Sequence, residues 1–423
     1  MARPRKNATK AQGSLLKPDE VAEIPVEEQP YSLPEGWKWV RLLSVFSNHT
    51  DSKKKLPQKE YLSTGTFPVV DQGKEIVGGY TENQSLLYSG PLPVIIFGDH
   101  TRCIKSIDFF FVQGADGIKV LHAKDIIIHK FFYYALKNLN MPDLGYRRHF
   151  PLFKKIVLPL PPLDEQQRIV ERTESLFAKL DEANAKAEAV LDGLETRKAA
   201  ILHRAFTGEL THTPPISFLS ITNFIKKEKN ALKAGPFGSA LKKDFYVPSG
   251  YKIYGQEQVI AGDETIGNYY INEEKYLELI ACKVAPGDVL ISLVGTVGKV
   301  LVLSENCEPG IINPRLIKIT LDQSKIYPKF FSYYFQSDET KASYKESSHG
   351  TTMDVLNMSI LKQLKFPCFS LPQQREITRI LDSLLAKEQQ VKEAAENVLE
   401  QIELMKKAIL ARAFRGKLTG PVT

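Results

Sequence analysis

Three residue groupings in this chain have the composition of catalytic motifs, and each is incomplete. A phosphate-binding loop needs four residues between its glycines and a Ser or Thr after its lysine. Backbone N–H groups then cradle the phosphates while the hydroxyl meets magnesium. Gly295-Thr296-Val297-Gly298-Lys299 has two residues between its glycines, and Val300 follows the lysine. Thr213-Pro214-Pro215-Ile216 carries the paired prolines of the tetrapeptide used for methyl transfer to DNA amino groups. That tetrapeptide opens on Asp, Asn or Ser and closes on an aromatic ring, and both ends differ here. Glu273-Glu274-Lys275 has the E-x-K spacing of part of a nuclease site, without an upstream acidic partner in the right context. The eight histidines show no H-E-x-x-H or other metal-ligand spacing, and Cys103, Cys282, Cys307 and Cys368 form no C-x-x-C pair. All of these read as structural, and neither a catalytic residue nor a metal site is expected.

Another chemistry is better represented: hydrogen bonding from polar turns to base edges and phosphates. Arg suits guanine, Gln and Asn suit adenine, and Ser and Thr suit phosphate or either base. In the first half the candidates for contact with double-stranded DNA are Gln72, Lys74, Asp99, His100, Arg102, Tyr146, Arg147, Arg148 and His149. In the second half they are Ser239, Gln256, Thr296, Asn313, Arg315, Ser348, His349 and Thr351. The alternative for each is an ordinary solvated loop. The aromatic runs Phe131-Phe132-Tyr133-Tyr134 and Phe330-Phe331-Ser332-Tyr333-Tyr334 have the faces to stack on bases, but their helical spacing suits a core.

The net charge of +7 permits an anionic partner without demanding one. No apolar run reaches the roughly 18 residues needed to span a bilayer, and the N-terminus MARPRKNATK has no apolar signal core behind it. A cytoplasmic protein with no membrane partner is expected. Residues 1–17 carry Arg3, Arg5, Lys6, Lys10 and Lys17 and no acid. Residues 1–30 therefore read as a basic, flexible tail or a sequence-independent contact with a DNA backbone.

The element that positions these turns is a repeat. AAILHRAFTGELT at 199–211 returns as KAILARAFRGKLT at 407–419, an offset of 208 residues from Ile201 to Ile409. Gln166-Gln167-Arg168 returns as Gln373-Gln374-Arg375, slipped by one position. A period this long is a duplicated half-protein rather than a solenoid. Ile169, Thr173, Leu176, Leu180, Ala183, Ala187, Val190, Leu194, Arg197 and Ile201 form an unbroken heptad seam. The same offset gives Ile377, Leu381, Leu384, Glu388, Val391, Ala395, Val398, Ile402, Met405 and Ile409. Thr173 and Arg197 interrupt the first copy and Glu388 the second. Prolines precede both segments, and Gly208 and Gly416 close them as C-terminal caps. Each helix should run about 40 residues, roughly 60 Å. So long a helix with so narrow a seam needs a partner helix, and the other copy is the obvious one.

The expected fold is α+β. Two mixed α/β recognition domains, 31–160 and 215–366, are separated by two long helices, 163–208 and 371–416. The helices should form an antiparallel coiled coil in a pseudo-two-fold tandem repeat.

Taken together, the chain resembles the specificity subunits of type I restriction-modification enzymes over about residues 31–420. The resemblance rests on LPPLDEQQRIV (160–170), AILHRAFTGEL (200–210), AILARAFRGKL (408–418), LPEGWKWVRL (33–42) and GDVLISLVGTVGK (287–299). It implies a non-catalytic target-recognition subunit, each of whose domains reads one half of a bipartite, asymmetric DNA site. It implies two adenine methyltransferase subunits as partners and, through them, two nuclease/translocase subunits. S-adenosylmethionine, ATP and Mg2+ would belong to those partners, with no cofactor in this chain. The helix ends around Gln166–Ile169 and Ala199–Leu210, with their copies, would be structural or would dock the methyltransferases. The competing classes are a self-contained DNA methyltransferase or nuclease with fused recognition domains, and a coiled-coil scaffold that binds no DNA.

Overall fold

The computed structural model describes residues 24–419, apart from 116, 146, 238, 294–295, 347–355 and 357. The described residues fall into two compact units: those up to Ala187 together with those from Asn397 on, and Glu188–Glu396. Among them no helix is long and apolar enough to cross a membrane.

In the first unit, strands β1 (Phe46–Asn48), β2 (Lys55–Leu56), β3 (Phe67–Val70), β4 (Gly79–Thr81), β5 (Val94–Gly98), β6 (Ile104–Ile107), β7 (Val112–Gly114) and β8 (Ile118–Ala123) form two four-stranded sheets. Their orders are β1-β8-β5-β6 and β2-β7-β3-β4. β5 is apolar along its length and buried throughout, as a central strand covered on both faces must be. Helix α1 (His129–Lys137) follows β8. Lys38–Arg41 pairs antiparallel with Val157–Leu160, tying the two ends of the domain together.

The second unit repeats this plan. It contains β9 (Leu232–Ala234), β10 (Tyr246–Val247), β11 (Tyr251–Tyr254), β12 (Tyr270–Ile271), β13 (Val289–Ser292), β14 (Val300–Val302), β15 (Gly310–Ile312) and β16 (Leu316–Ile319). The sheet orders are β9-β16-β13-β14 and β10-β12-β11-β15. The first matches its counterpart strand for strand, and the second differs only in which edge β10, the counterpart of β2, joins. Phe218–Ser220 with Lys365–Pro367 ties the ends, and the aromatic helix α4 (Pro328–Phe335) follows β16. The long segments hold α2 (Leu163–Asp192), α3 (Leu194–Phe206) and α5 (Leu371–Ala413), and shorter helices such as Gln256–Ala261 lie within the second unit.

The expected unbroken first helix is in two pieces, because α2 stops at Asp192 and α3 begins at Leu194. The residue between is Gly193, whose place in the second copy is taken by Gln401 inside the continuous α5. Glycine weakens a helix interior by about 1 kcal/mol relative to alanine. The break is mild, since Gly193 N–H still donates to Ala189 C=O and Arg197 N–H to Gly193 C=O. The Arg197 guanidinium also donates to the Val190 carbonyl. Gly208 and Gly416 both adopt positive φ just past the helix ends, the conformation that suits a glycine cap.

Within each unit the two helical segments run antiparallel. In the first, Glu165 meets Thr419, and Asp181 pairs with Lys406 at 2.7 Å. In the second, the two residues that interrupt the seams meet each other, Arg197 Nε donating to Glu388 at 2.9 Å. The seam is only partly covered. Ile169, Thr173, Leu194, Ile377, Leu381 and Ile402 are buried, whereas Val391, Val398 and Met405 are exposed.

The helices are also built into the domain cores. Phe414 packs on Phe131 at a ring separation of 5.0 Å, within a cluster that includes Ile169, Val170, Leu410 and Ala413. Phe206 packs on Phe330 at 5.4 Å, with Ala205, Ile377 and Leu381. Both aromatic runs are thus core rather than base-stacking surfaces.

A buried glutamine fastens each long helix to its domain. Gln166 donates to the carbonyls of Ile126 and Pro161 and accepts from Ile128 N–H. Gln374 donates to the carbonyls of Lys325 and Phe369 and accepts from Tyr327 N–H. The donating amide, of Ile128 or Tyr327, lies in each case just ahead of the aromatic helix. These equivalent residues are 208 apart, so the one-residue slip suggested by the tripeptide is not structural. An unsatisfied buried polar group costs about 1–3 kcal/mol. Gln166→Leu and Gln374→Leu should each destabilise their own unit by about that amount or more, seen as a lower urea midpoint.

Candidate nucleic-acid interface

The polar turns gather because of strand direction. β3 and β7 run parallel, with Val69 opposite Val112, so the turns after them open on the same edge. The turn after β5 joins them there, Asp99 N–H donating to Gly117 C=O at 2.6 Å. His100 N–H donates to Gln72 Oε1 at 3.3 Å, and the Thr101 hydroxyl donates to Gln72 C=O at 2.6 Å. The second unit follows the same rule. β11 and β15 run parallel, with Ile253 opposite Ile311. Leu293 N–H, just after β13, donates to Arg315 C=O at 3.0 Å. Gln72 and Gln256 stand in corresponding places, each two residues beyond the third strand of its domain.

The side chains at the two edges differ. At the second edge, Asn313 Oδ1 accepts Arg315 N–H at 2.9 Å, and the Arg315 guanidinium donates to Gln256 Oε1 at 3.4 Å. Arg315 is exposed. Together with Lys243, Tyr246 and Tyr269 these residues line a cleft of about 430 Å³. Ser239 and Thr296 are exposed nearby in sequence, although the Thr296 carbonyl accepts from the Ser292 hydroxyl.

At the first edge, Lys74, Arg147 and Arg148 are exposed. Arg102 reaches across to the segment after α1: at φ 61° it donates to Met141 C=O at 3.1 Å and to the Asp143 carboxylate at 2.8 Å. The Gly145 N–H, and then the Arg102 charge, hold the Asp143 carboxyl below its usual range. Lys74, Arg102, Lys105, Lys137 and Asn140 are among the residues around a cleft of about 490 Å³.

Two expected contacts are corrected. Asp99 is buried, its carboxylate accepting Phe150 N–H at 2.7 Å with Lys119 Nζ 4.0 Å away. His149 is fully buried. It bonds through Nδ1 to the Asp99 carbonyl, and its Nε2 accepts Leu144 N–H at 3.3 Å. Both are spent on fixing the 144–150 turn, so neither is offered to a ligand. Tyr146, Ser348, His349 and Thr351 lie outside the described residues.

Turn chemistry alone could not reveal Lys105, Lys137, Lys243, Tyr246 or Tyr269, because they sit on strands and helices or beside them. Lys105 did carry a signal, as a cation at an inward position of the alternating strand Ile104-Lys105-Ser106-Ile107. It is 3% exposed, its Nζ is 3.6 Å from Asp71 Oδ1, and burial pushes its pKa down. Among the described residues no group of three or more His, Cys, Asp or Glu side chains converges as a metal site would require.

Two copies of one α/β plan, each gathering amide and guanidinium groups at a single strand edge, with aromatic rings at the second, define a tandem-domain protein. The chain belongs to the type I restriction modification DNA specificity domain family, whose model matches residues 34–191 and 238–401. It is 25% identical over 316 residues to the EcoBI specificity subunit of Escherichia coli, covering 69% of this chain and 66% of that protein. It is 27% identical over 286 residues to the EcoKI specificity subunit of Escherichia coli K12, covering 63% and 59%. The chain thus spans less than two thirds of the length of these relatives. Among solved structures it is similar to a chain of a type I R-M system, with TM-score 0.68, 19% identity and coverage of 92% and 100%. The HsdS subunit of Thermoanaerobacter tengcongensis gives TM-score 0.54, 20% identity and coverage of 92% and 99%. These structural likenesses support the fold.

Substitution separates the kinds of contact. Arg147→Ala and Arg315→Ala should both weaken DNA binding. A log–log salt slope reduced by about one marks a phosphate contact, whereas relaxed preference at one base pair marks base reading, at about 1–3 kcal/mol. Asp99→Ala should instead lower the melting temperature of the first unit.

Proposed function

We propose that this chain is the DNA specificity subunit of a type I restriction-modification enzyme, and that it performs no catalysis itself. Each domain reads one half of a bipartite, asymmetric site through its strand edge. The observation that carries this reading is the duplicated edge with unlike side chains. Gln72, His100 and the exposed Lys74, Arg147 and Arg148 serve one half-site, and Gln256, Asn313 and Arg315 the other. An arginine fork matches the O6 and N7 acceptors of guanine, and a glutamine or asparagine amide matches adenine. Exposed lysines and arginines neutralise phosphates and set the register on the duplex.

In this reading the long helical segments scaffold two methyltransferase subunits and, through them, two nuclease/translocase subunits. S-adenosylmethionine, ATP and Mg2+ are then bound by those partners, and the complex works in the cytoplasm. Relatives named as specificity subunits support this over a self-contained enzyme.

The purified chain alone should neither methylate nor cut DNA. With its methyltransferase partner it should direct adenine methylation to one split sequence, mapped by sequencing modified bases. Replacing 215–366 by the matching region of a relative should change one half of that sequence and leave the other intact. Turnover by the chain alone would overturn the non-catalytic assignment, and a swap that altered both halves would overturn independent reading.

A further inference from the structure

Phe237 is the most exposed of the large apolar side chains among the described residues, at 91%. It is not on a loose excursion. The loop that carries it leaves β9 where β16 begins, and its root is anchored on the segment that bears Asn313 and Arg315. Gly235 N–H donates to Leu316 C=O at 2.9 Å. A Cβ on Gly235 would lie 1.8 Å from the Asn313 carbonyl oxygen, so only glycine permits this approach. Pro236 is buried, the Phe237 carbonyl accepts Ala240 N–H at 2.8 Å, and Leu241 is buried in the sheet core. The backbone is therefore held on both sides of an aromatic ring that touches solvent.

Three further facts narrow what the ring meets. The loop runs directly into the exposed Lys242 and Lys243, with Asp244 as the adjoining acid, and Lys243 also lines the Arg315 cleft. The corresponding loop of the first domain, 49–54, is His49-Thr50-Asp51-Ser52-Lys53-Lys54 and offers no apolar ring. There Thr50 Oγ1 accepts Val120 N–H, which ties the loop to the sheet. The other highly exposed phenylalanine, Phe110 at 73%, joins β6 to β7 and so lies at the opposite end of the strands from the reading turns.

We propose that Phe237 is a wedge. It inserts between adjacent base pairs of the half-site read by the second domain, beside the pair contacted by Arg315, and unstacks that step. This rests on the DNA-reading function proposed above. An apolar wedge between base steps exchanges base–base stacking for contact with the side chain and kinks the duplex. The kink makes recognition depend on how easily that step deforms, which adds sequence preference at a position without a hydrogen bond. Only one half of the site is distorted, because of the two corresponding loops only that of the second domain carries an apolar ring.

The test uses the full chain with its methyltransferase partner and duplexes carrying 2-aminopurine, which brightens when unstacked. The probe is placed in turn at each position of both mapped half-sites except the methylated adenines and their immediate neighbours, which base flipping by the methyltransferase would brighten by itself. The wild-type complex should brighten one step severalfold, within the half that changes when 215–366 are exchanged, and none in the other half. Phe237→Ala should abolish the brightening and weaken binding roughly ten- to hundredfold, the usual range for removing an aromatic that stacks on a base. Phe237→Trp and the control Phe110→Ala should keep it. An unchanged melting temperature would show that Phe237→Ala folds. If wild type binds its site but no step brightens, or if Phe237→Ala brightens equally, the wedge is overturned while DNA reading stands. Loss of methyltransferase assembly in Phe237→Ala, with unstacking intact, would equally overturn it. A complex with no site-specific binding at all would overturn both readings.

Discussion

The buried glutamine at the root of each long helix is the contact on which the rest of the structure depends. An aromatic helix packed in a domain interior has N-terminal amides with no partner inside the helix. Gln166 and Gln374 each supply an acceptor to the amide just ahead of that helix, and they bind two carbonyls from other turns with the same side chain. One side chain thus joins the turn after the sheet, the entering proline-rich segment and the long helix. Leucine at this place would fill the space and strand three backbone groups. The clamp also fixes where the next helical turns fall, placing Ile169 and Val170 in one core and Ile377 and Leu381 in the other. The repeated A-I-L-x-R-A-F segments then cover those turns from the opposite direction. Phe206 closes on Phe330, and Phe414 on Phe131.

A core closed in this way leaves the far edge of the sheets free to change. Strand order in the sheet around β5 matches that around β13, and the other sheet of each unit holds one parallel pair, β3 with β7 and β11 with β15. Those features dictate that the turns after corresponding strands converge. They do not dictate what the turns contain. Side chains there meet solvent and each other, so substitutions at the edge cost the core little. Such a division of labour lets one scaffold carry two unlike recognition surfaces.

Much of this was legible in the sequence because the signals were local or repeated. The 208-residue offset and the two closing glycines appear in the helices as expected, the seam is covered only in part, and the aromatic runs went to the core that their helical spacing suited. What failed to show was decided by contacts distant in sequence. A single Gly193 in a strong heptad pattern reads as tolerated, yet the helix breaks there. Arg197 and Glu388 look like separate blemishes until antiparallel pairing brings them within 2.9 Å. The tripeptide Q-Q-R suggested a slipped register, because identical letters drew the alignment away from the glutamine that makes equivalent bonds. Asp99 and His149 had the polarity of a binding turn, but burial turned that polarity inward.

The two arginines near the strand edges show how partners decide what a cation can do. A guanidinium has five donors in a planar fork. Arg102 spends its two terminal nitrogens on Met141 C=O and Asp143, the second at 2.8 Å with an opposite charge. Turning it toward a ligand would break a charge-assisted bond and leave the exposed Asp143 carboxylate to water and the Gly145 N–H. Arg315 leans on Gln256 through one neutral contact at 3.4 Å and is otherwise exposed. That contact is long for a hydrogen bond, so it restricts the arginine's direction without competing strongly for its donors. Gln256 thereby orients the fork while leaving most of it available. The same residue type is structural at one edge and offered at the other. The difference lies in the side-chain partner bonded, the Asp143 carboxylate for Arg102 and the neutral Gln256 amide for Arg315.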